Sequence, residues 1–105
     1  MECINKVELA GLVGCSSVTP VQDMQHVKLS VATDYAYRDK DGIAVLETTW
    51  HHVSGFLEPG ATAPQKGDAV HICGRIRQIR YVNADGNDAV MTDIFASKIE
   101  IIIKK

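Results

Sequence analysis

Apolar and polar residues alternate with a period of two along nearly the whole chain, and no segment shows the 3.6-residue period of an amphipathic helix. This alternation predicts an all-β fold with little or no helix. We expect five strands, over about residues 4–14, 26–35, 45–56, 69–81 and 89–96. Residues 39–42 and 83–87 are rich in Asp, Asn and Gly, which predicts that they form the turns of two long hairpins.

Glycines interrupt the predicted strands instead of ending them. Gly11 and Gly14 lie in the first strand and Gly74 lies in the fourth, and glycine inside a strand is typical of bulges and sharp bends. Five bent strands joined by long hairpins fit a small closed barrel of Greek-key type better than an open sheet, because closure removes the exposed strand edges. We expect the 105 residues to form a single domain.

Three segments are expected to lie outside the sheet. Residues 15–23 are rich in turn-forming residues, and residues 57–65 contain two prolines and a glycine without a helical period, so both are interpreted as loops. Residues 99–103 form an apolar tail after the last predicted strand. Together with the edge of the first strand, this tail offers surface for self-association.

Charge and cysteine content narrow the class of protein. The formal net charge is −2, so any binding of nucleic acid must come from local segregation of charge. Cys3, Cys15 and Cys73 are far apart and form no CxxC pair, which favours reduced thiols in the cytoplasm. The N-terminus lacks an apolar signal core, and no apolar run approaches the ~18 residues of a membrane span.

Aromatic and basic side chains are concentrated in the middle of the chain. All six aromatic residues except Phe95 lie among arginines and lysines. Residues 69–84 contain no acid, and they hold Arg75, Arg77, Arg80 and Tyr81. Because aromatic rings stack on bases and cations hold phosphates, this mixture indicates binding of single-stranded nucleic acid.

Each of these residues also has a purely structural interpretation. Trp50 is either a core residue, as buried aromatics usually are, or a stacking platform that shares one strand face with His52 and Phe56. Phe56 is either part of that platform or a plug at the end of the third strand. Tyr37 beside a hairpin tip is either a stacking ring or a surface tyrosine, and the arginines either hold phosphates or solvate an exposed face.

The sequence carries no pattern for a metal, a cofactor or catalysis. His51 and His52 point to opposite faces of a strand, and neither His26 nor His71 completes a metal-ligand spacing. A nucleophile elbow, a Cys–His signature and a phosphate-binding glycine loop are all missing from the sequence. We therefore expect a binding protein and not an enzyme.

Five short patches of sequence follow one another in an order that matters more than any single patch. They are Asn5-Lys6-Val7 with Leu9, Gly11 and Gly14; Leu29, Val31-Ala32-Thr33 and Tyr37-Arg38-Asp39-Lys40-Asp41-Gly42; Glu47-Thr48-Thr49-Trp50-His51 with Val53; Lys66-Gly67-Asp68, Val70 and Gly74-Arg75-Ile76-Arg77; and Asp85-Gly86 with Thr92-Asp93-Ile94. In this order they resemble the bacterial single-stranded DNA-binding proteins, a family with the OB fold. The resemblance covers about residues 5–102.

The resemblance implies a five-stranded OB barrel that binds single-stranded DNA without strong sequence preference, in replication, recombination or repair. Matched by motif, the stacking positions of the family are Tyr37, Trp50, Phe56 and Tyr81. The basic side chains that we expect to hold the DNA backbone are Lys6, Arg38, Arg75, Arg77 and Arg80. His51 matches a histidine that lies at subunit interfaces in the family, so a homo-oligomer, either dimer or tetramer, is expected in a bacterial cytoplasm, associated with the nucleoid.

The chain also departs from the family pattern. A proline-containing loop stands where the family has a short helix, and tyrosine stands at two positions that often hold tryptophan. The sequence stops at Lys104-Lys105 without the long flexible tail that recruits replication partners in the family. In these respects it is similar to primosomal replication protein N. A primosome component, or a protein–protein adaptor that has lost DNA binding, are therefore the alternative functions.

Overall fold

The computed structural model describes residues 1–104, which form five β-strands and no helix; Lys105, the last residue of the expected domain, lies outside the described residues. The strands are β1 (Val7–Val21), β2 (Met24–Arg38), β3 (Ala44–Leu57), β4 (Ala69–Val82) and β5 (Asp88–Ile103). They close into a barrel in the order β1-β2-β3-β5-β4. The predicted all-β barrel is confirmed. No helix in residues 1–104 is long and apolar enough to cross a membrane.

The interior of the barrel is filled by alternate residues of each strand. On β2, for example, Val27, Leu29 and Val31 are buried while Lys28 between them is exposed. Branched and leucine side chains fill a small barrel closely because inward positions recur at every second residue. The buried apolar residues are Val13, Val27, Leu29, Val31, Val53, Ala63, Val70, Ile72, Ile94 and Ala96.

The bounds of β3 and β4 lie within one residue of the predicted ones, whereas β1, β2 and β5 are longer than predicted, and β1 begins at Val7 instead of residue 4. Residues 15–21 are not a loop, because they pair residue by residue with Met24–Ser30 around a turn at Gln22 and Asp23. Residues 99–103 are not a free tail, because they pair with the start of β4, where Ile99 and Ile101 pack against the core. Both predictions were wrong. In residues 15–21, pairing with β2 outweighs a turn-like composition. Residues 99–103 are rich in isoleucine, which favours strands, and they continue β5 beyond the irregularity at Ser97.

Two of the predicted glycine bends coincide with irregularities in the ladders. Between β1 and β2 the register shifts from Val13 to Cys15, which leaves Gly14 as the extra residue of a bulge. Between β4 and β5 the register shifts beside Gly74. A side chain at Gly74 would overlap the backbone of β5, with its Cβ 2.9 Å from the Cα of Ala96. The two glycines thus let neighbouring strands bend and approach closely.

Both predicted hairpin turns form, and the same pattern of side-chain to backbone hydrogen bonds stabilises each of them. The carboxylate Oδ1 of Asp39 accepts hydrogen bonds of 2.9 Å from the backbone N–H groups of Asp41 and Ile43. At the other tip, Oδ1 of Asn83 accepts the equivalent bonds from the two corresponding N–H groups at 3.0 and 3.1 Å. Gly42 lies at a φ of 78°, a conformation that glycine adopts at little cost, and the glycine of the second turn has the same φ.

The segment between β3 and β4 closes one end of the barrel without a helix, as expected. Gly67 N–H donates to the carbonyl of Val13 at 2.8 Å, and Val13 N–H donates to the carbonyl of Asp68 at 2.9 Å. The side chain of Asp68 is 1% exposed and accepts hydrogen bonds of 2.9 Å from Gln65 N–H and from Lys104 Nζ. These bonds tie the loop to β1 and to the end of β5.

The close approach at Gly74 predicts a specific loss of stability. Replacing Gly74 by alanine should destabilise the fold by ~1–3 kcal/mol, because the new methyl group meets backbone atoms that cannot rotate away. Gly42→Asn is the matched control, since the space around Gly42 is open and asparagine tolerates a positive φ. Urea unfolding of the three proteins measures both effects. Equal stability of the Gly74→Ala variant and the wild type would contradict this account of the β4–β5 contact.

Candidate nucleic-acid interface

The pairing of β2 with β3 decides which side chains share the outer face of the barrel. Trp50 pairs with Ala32 and Phe56 pairs with His26, whereas the core residue Val31 pairs with His51. Directly paired residues point to the same side of a sheet. Trp50 and Phe56, with His52 between them, therefore lie on one outer face, as the alternation of the sequence predicted.

Trp50 is 56% exposed, which excludes its interpretation as a core residue. Its indole ring leans across β2 onto Gly14, where a side chain would overlap the ring atoms Cζ3 and Cη2. Gly14 thus has two roles, since it forms the bulge in β1 and leaves room for the ring of Trp50. One edge of the indole rests on the barrel, and more than half of the side chain remains open to a partner.

Phe56 and Phe95 are the centre of a group that we call the aromatic–arginine cluster, made of His26, Phe56, Phe95, Arg75 and Arg77. The two phenyl rings meet edge to face with centroids 6.2 Å apart, and the ring of His26 lies 5.0 Å from that of Phe56. The guanidinium carbons of Arg77 and Arg75 lie 4.5 and 5.0 Å from the centroid of Phe95. Cation–π attraction therefore holds both arginines over one ring.

Phe95 is the member of this cluster that sequence reasoning missed. It was the one aromatic residue outside the central aromatic and basic segment. The parallel pairing of β3 with β5 places Phe95 beside Ser54 and so next to Phe56. Phe95 lies two residues from Asp93 and so on the same face of β5. This position indicates a contact with Phe56 only when the strand beside β5 is known.

Arg77 is held in place by hydrogen bonds on both sides of the cluster. Its Nε donates to Asp93 Oδ1 at 2.9 Å, and its Nη2 donates to Ser54 Oγ at 3.0 Å. Ser54 Oγ in turn donates to Asp93 Oδ2 at 2.9 Å, and Asp93 is 6% exposed. The positive charge of Arg77 is thus largely balanced by Asp93, and its first structural role is to join three strands.

The pKa of Asp93 is lowered in the folded protein. Burial acts to raise this pKa, but the hydrogen bonds from Arg77 and Ser54, together with the charges of Arg77 and His52, outweigh the burial. The carboxylate is therefore ionised more readily in the fold than in the unfolded chain.

A cleft of about 290 Å³ opens where β3 and β5 separate beside this group. Its wall includes Lys28, His52, Arg77, Ile79, Met91 and Asp93. The cleft thus combines apolar side chains with cations, and its lining residue His52 lies between Trp50 and Phe56 on one face of β3. Such a surface suits a strand that presents both flat bases and phosphates.

The predicted stacking residues do not all share this face. Tyr81 is 45% exposed. It is separated from Arg75 and Arg77 by an even number of positions on β4, so it lies on the same side of the strand as they do. Tyr37 has the parity of the core residue Val31, and it therefore lies on the opposite face of the β2–β3 hairpin from Trp50.

Tyr37 is engaged by its neighbours on that opposite face. Its hydroxyl donates to Glu47 Oε1 at 3.1 Å, and its ring centroid lies 6.0 Å from that of Tyr35. It remains exposed, so a strand that bound both Tyr37 and Trp50 would have to pass around the hairpin.

The predicted basic residues are similarly divided. Asn5 exchanges two hydrogen bonds with the backbone of Ile76, which brings its neighbour Lys6 alongside Arg75. Arg80 is exposed, but alternation turns it to the other side of β4 from Arg75. Arg38 lies at a hairpin tip, where its Nη1 donates to the carbonyl of Gly42 at 2.9 Å.

His51, the expected interface residue, has a partner within the chain. Its Nε2 lies 2.8 Å from the hydroxyl of Thr33, on the side of the ribbon that faces the barrel interior. The ring is half-buried, so one edge of it remains accessible at the end of the barrel.

A group of possible metal ligands also occurs in the described chain, at a position that sequence spacing did not indicate. Glu8, His71 and Cys73 come together on β1 and β4. Sequence spacing indicated no ligand partner for His71, because Glu8 lies 63 residues away in the sequence.

The family model described as "Single-strand binding protein family" matches residues 4–102. Among curated relatives, the single-stranded DNA-binding protein of Xanthomonas axonopodis pv. citri is 33% identical over 104 residues, covering 94% of this chain. Single-stranded DNA-binding protein 1 of Xylella fastidiosa is 31% identical and covers 100% of the chain. The chain spans 58% of the length of the Xanthomonas protein and 82% of that of the Xylella protein.

Solved structures show the same fold. The SSB of Plasmodium falciparum in complex with ssDNA superposes with a TM-score of 0.73 at 21% identity, covering 100% of this chain and 98% of that one. The single-stranded DNA binding protein from Thermus aquaticus gives a TM-score of 0.77 at 18% identity, covering 94% of this chain and 50% of that one. The predicted OB-fold barrel is confirmed.

The balance between Arg77 and Asp93 predicts a pH-dependent stability. Asp93→Asn should lower the free energy of unfolding at neutral pH by ~1–3 kcal/mol, because the partly exposed guanidinium of Arg77 loses charge-assisted hydrogen bonds to a buried carboxylate. The folded pKa of Asp93 lies below its ordinary value of 3.8, so the stabilisation by Asp93 is complete above that value. It is lost as the pH falls through the folded pKa.

Denaturant unfolding at a series of pH values tests this linkage. The stability difference between wild type and Asp93→Asn should shrink as the pH falls below the ordinary carboxyl range. Glu100→Gln is the control, since the Lys98–Glu100 pair is exposed and its loss should leave the stability nearly unchanged at every pH. A difference for Asp93→Asn that is independent of pH would contradict the assignment.

Proposed function

This chain belongs to the single-strand binding protein family, and on that premise we propose that it binds single-stranded DNA by stacking bases on aromatic rings and holding phosphates with cations. Three outward-facing rings on the barrel support this function, namely Trp50, Phe56 and Tyr81. They alternate with cations over one surface, and the relatives at 31–33% identity are named single-stranded DNA-binding proteins.

The residues of this surface have different roles in binding DNA. Trp50 rests one edge on Gly14, and Phe56 is buttressed by Phe95, so both rings are already oriented when a base arrives. Preorganised rings lose little conformational freedom on binding, which favours affinity. The bases held on them are kept from re-pairing, so binding sequesters the strand. Stacking tolerates any base, and binding should therefore lack strong sequence preference.

Phosphates would be held mainly by the cations whose charge is not balanced by a buried acid. Lys6 and Arg75 lie side by side at the edge of the aromatic–arginine cluster, and Lys28 lines the cleft opposite Ser54. Arg77 adds to the local potential but acts first as the brace of the barrel. Arg38 and Arg80 would contact the backbone only where the strand bends around the hairpins.

Self-association completes the proposal. Ile102 and Ile103 are 56% and 66% exposed, and the accessible edge of His51 lies at the end of the barrel. Two or four chains that bury this surface would present several stacking faces to one strand, which raises affinity through multivalency. The function is non-enzymatic and serves replication, recombination or repair in a bacterial cytoplasm.

An adaptor that has lost DNA binding, or a primosome component that combines DNA and protein contacts, is the alternative. The formal net charge of −2 and the position of Tyr37 on the opposite hairpin face favour it. Such a protein would keep the barrel and use its outer face for a protein partner.

Trp50 is the single tryptophan of the chain, so its fluorescence reports on one position. Titration with oligo-dT should quench this fluorescence, because a stacked base contacts the indole directly. The apparent affinity should fall as salt rises, with a slope of about −0.7 per phosphate contacted. If fluorescence stays constant at low salt, stacking on Trp50 does not occur.

Alanine variants measure each stack by the anisotropy of a labelled oligonucleotide. Trp50→Ala and Phe56→Ala should each weaken binding by ~1–3 kcal/mol. Tyr35→Ala is the matched control, because Tyr35 is exposed yet lies on the opposite face of the hairpin. A loss for Tyr35→Ala as large as that for Trp50→Ala would place the DNA on the other face.

Arg75 and Arg77 should differ in their readouts although they cover the same ring. Arg75→Ala should weaken DNA binding and reduce its salt slope with little change in Tm, because Arg75 is exposed. Arg77→Ala should lower Tm markedly, because Asp93 then loses its partner. Equal changes in Tm for the two variants would show that Arg77 is not the brace of the barrel.

A further inference from the structure

The outer face of β1 and β4 carries three side chains of the kind that bind transition metals. Glu8 pairs directly with Cys73, and His71 precedes Cys73 by two residues on the same face of β4. Their ligand atoms, a carboxylate oxygen, an imidazole nitrogen and the thiol sulfur, all lie within 4.8 Å of one another. The shortest of these contacts joins His71 Nε2 to Glu8 Oε2 at 2.6 Å.

We propose that Glu8, His71 and Cys73 form a binding site for Zn²⁺. Thiolate, imidazole and carboxylate are the usual zinc ligands, and in a tetrahedron of ordinary bond lengths they lie ~3.4–3.6 Å apart. The present separations, from 2.6 Å between His71 and Glu8 up to at most 4.8 Å, lie on either side of that value. The soft thiolate favours zinc over magnesium or calcium, which prefer oxygen ligands. Three protein ligands leave a fourth position for water.

The strands hold the ligands without a dedicated loop. Cross-strand partners on an antiparallel ladder have Cβ atoms ~4.5–5.5 Å apart, and alternate residues on one strand share a face. His71 and Cys73 are half-buried, so both are already restrained, whereas Glu8 is exposed and can adjust. This site arises from closure of the barrel, because β1 and β4 meet only when the chain is folded.

On the same outer face, the neighbouring strand β5 carries one acidic and one basic side chain. Glu100 on β5 pairs with His71, and Lys98 pairs with Cys73. Lys98 Nζ lies 2.7 Å from Glu100 Oε1, and the hydrogen bond from Lys98 is the first cause that lowers the pKa of Glu100. Zinc binds a neutral imidazole and a thiolate, so the metal displaces any proton on these ligand atoms. Binding should therefore release protons and strengthen as pH rises.

The site is independent of the DNA-binding proposal, but it adjoins the surface proposed for DNA. Arg75 follows Cys73 by two residues on the same face of β4. Bound Zn²⁺ would link the two strands whose pairing closes the barrel, and a ligand that binds only the folded state raises stability. The alternative structural role of the trio is a simple His71–Glu8 ion pair.

Titration of the full chain with Co²⁺ and then Zn²⁺, under a non-thiol reductant, tests the proposal. We expect one Co²⁺ per chain, a thiolate-to-cobalt charge-transfer band, the intense visible bands of four-coordinate cobalt, and displacement of Co²⁺ by Zn²⁺. Zn²⁺ should raise the Tm of the wild type.

Variants assign the ligands. Cys73→Ser should abolish the charge-transfer band, and His71→Asn should weaken binding by at least roughly ten- to hundred-fold. Cys15→Ser is the matched control, because Cys15 is an exposed thiol on β1 away from the trio, and it should leave binding unchanged. The Tm of each variant without metal verifies folding.

The proposal fails if Co²⁺ gives no thiolate band at protein-saturating concentrations, or if the band survives in Cys73→Ser. It also fails if the band is lost in Cys15→Ser, since the metal would then be held elsewhere. DNA affinity measured on the same variants separates this outcome from that of the stacking surface.

Discussion

The barrel depends on the short pairing between β3 and β5, which we call the seam. The ion pair of Arg77 and Asp93 stabilises this seam through Ser54. In the described chain, β3 and β5 are paired only at Val53 with Ile94 and at Ser54 with Phe95, whereas the hairpins on either side pair along their full length. Two hydrogen bonds of Ser54 cross this seam, one donated to Asp93 and one accepted from Arg77, whereas the Arg77–Asp93 pair itself lies within the β4–β5 hairpin. A parallel ladder of so few residues provides little stabilisation, so the charge-assisted bonds contribute a large share of the closure.

The same brace shapes the candidate interface. It sets Phe95 against Phe56 and places two guanidinium groups over one phenyl ring. Beyond the seam the two hairpins diverge, and the cleft lies between them. Stability and recognition therefore compete for Arg77, because a guanidinium that balances a buried carboxylate has less charge to offer a phosphate. Lys6, Lys28 and Arg75 are the cations that the fold leaves for that purpose.

Local sequence rules predicted much of this molecule, and their failures have a common cause. The Asp-Gly dipeptides at residues 41–42 and 85–86 correctly located two hairpin tips, and alternation correctly placed Trp50, His52 and Phe56 on one face. Both misassigned segments depend on a partner strand: residues 15–21 pair with β2 despite a turn-like composition, and residues 99–103 pair with β4 beyond the irregularity at Ser97. The four stacking positions were expected to form one platform, yet parity with Val31 turns Tyr37 to the other side of the hairpin.

By itself, the sequence determined the strand alternation, the hairpin turns, the glycine bends and the family, because each of these depends on residues that are close together or on an ordered set of motifs. Only the tertiary structure decided that Phe95 joins Phe56, that Ser54 bonds to both Arg77 and Asp93, and that Glu8 meets His71 and Cys73. These contacts join residues far apart in the sequence, such as Ser54 and Arg77 at 23 positions and Glu8 and His71 at 63. They exist because the barrel closes through two long-range strand pairings, β1 with β4 and β3 with β5, whose registers no local pattern encodes.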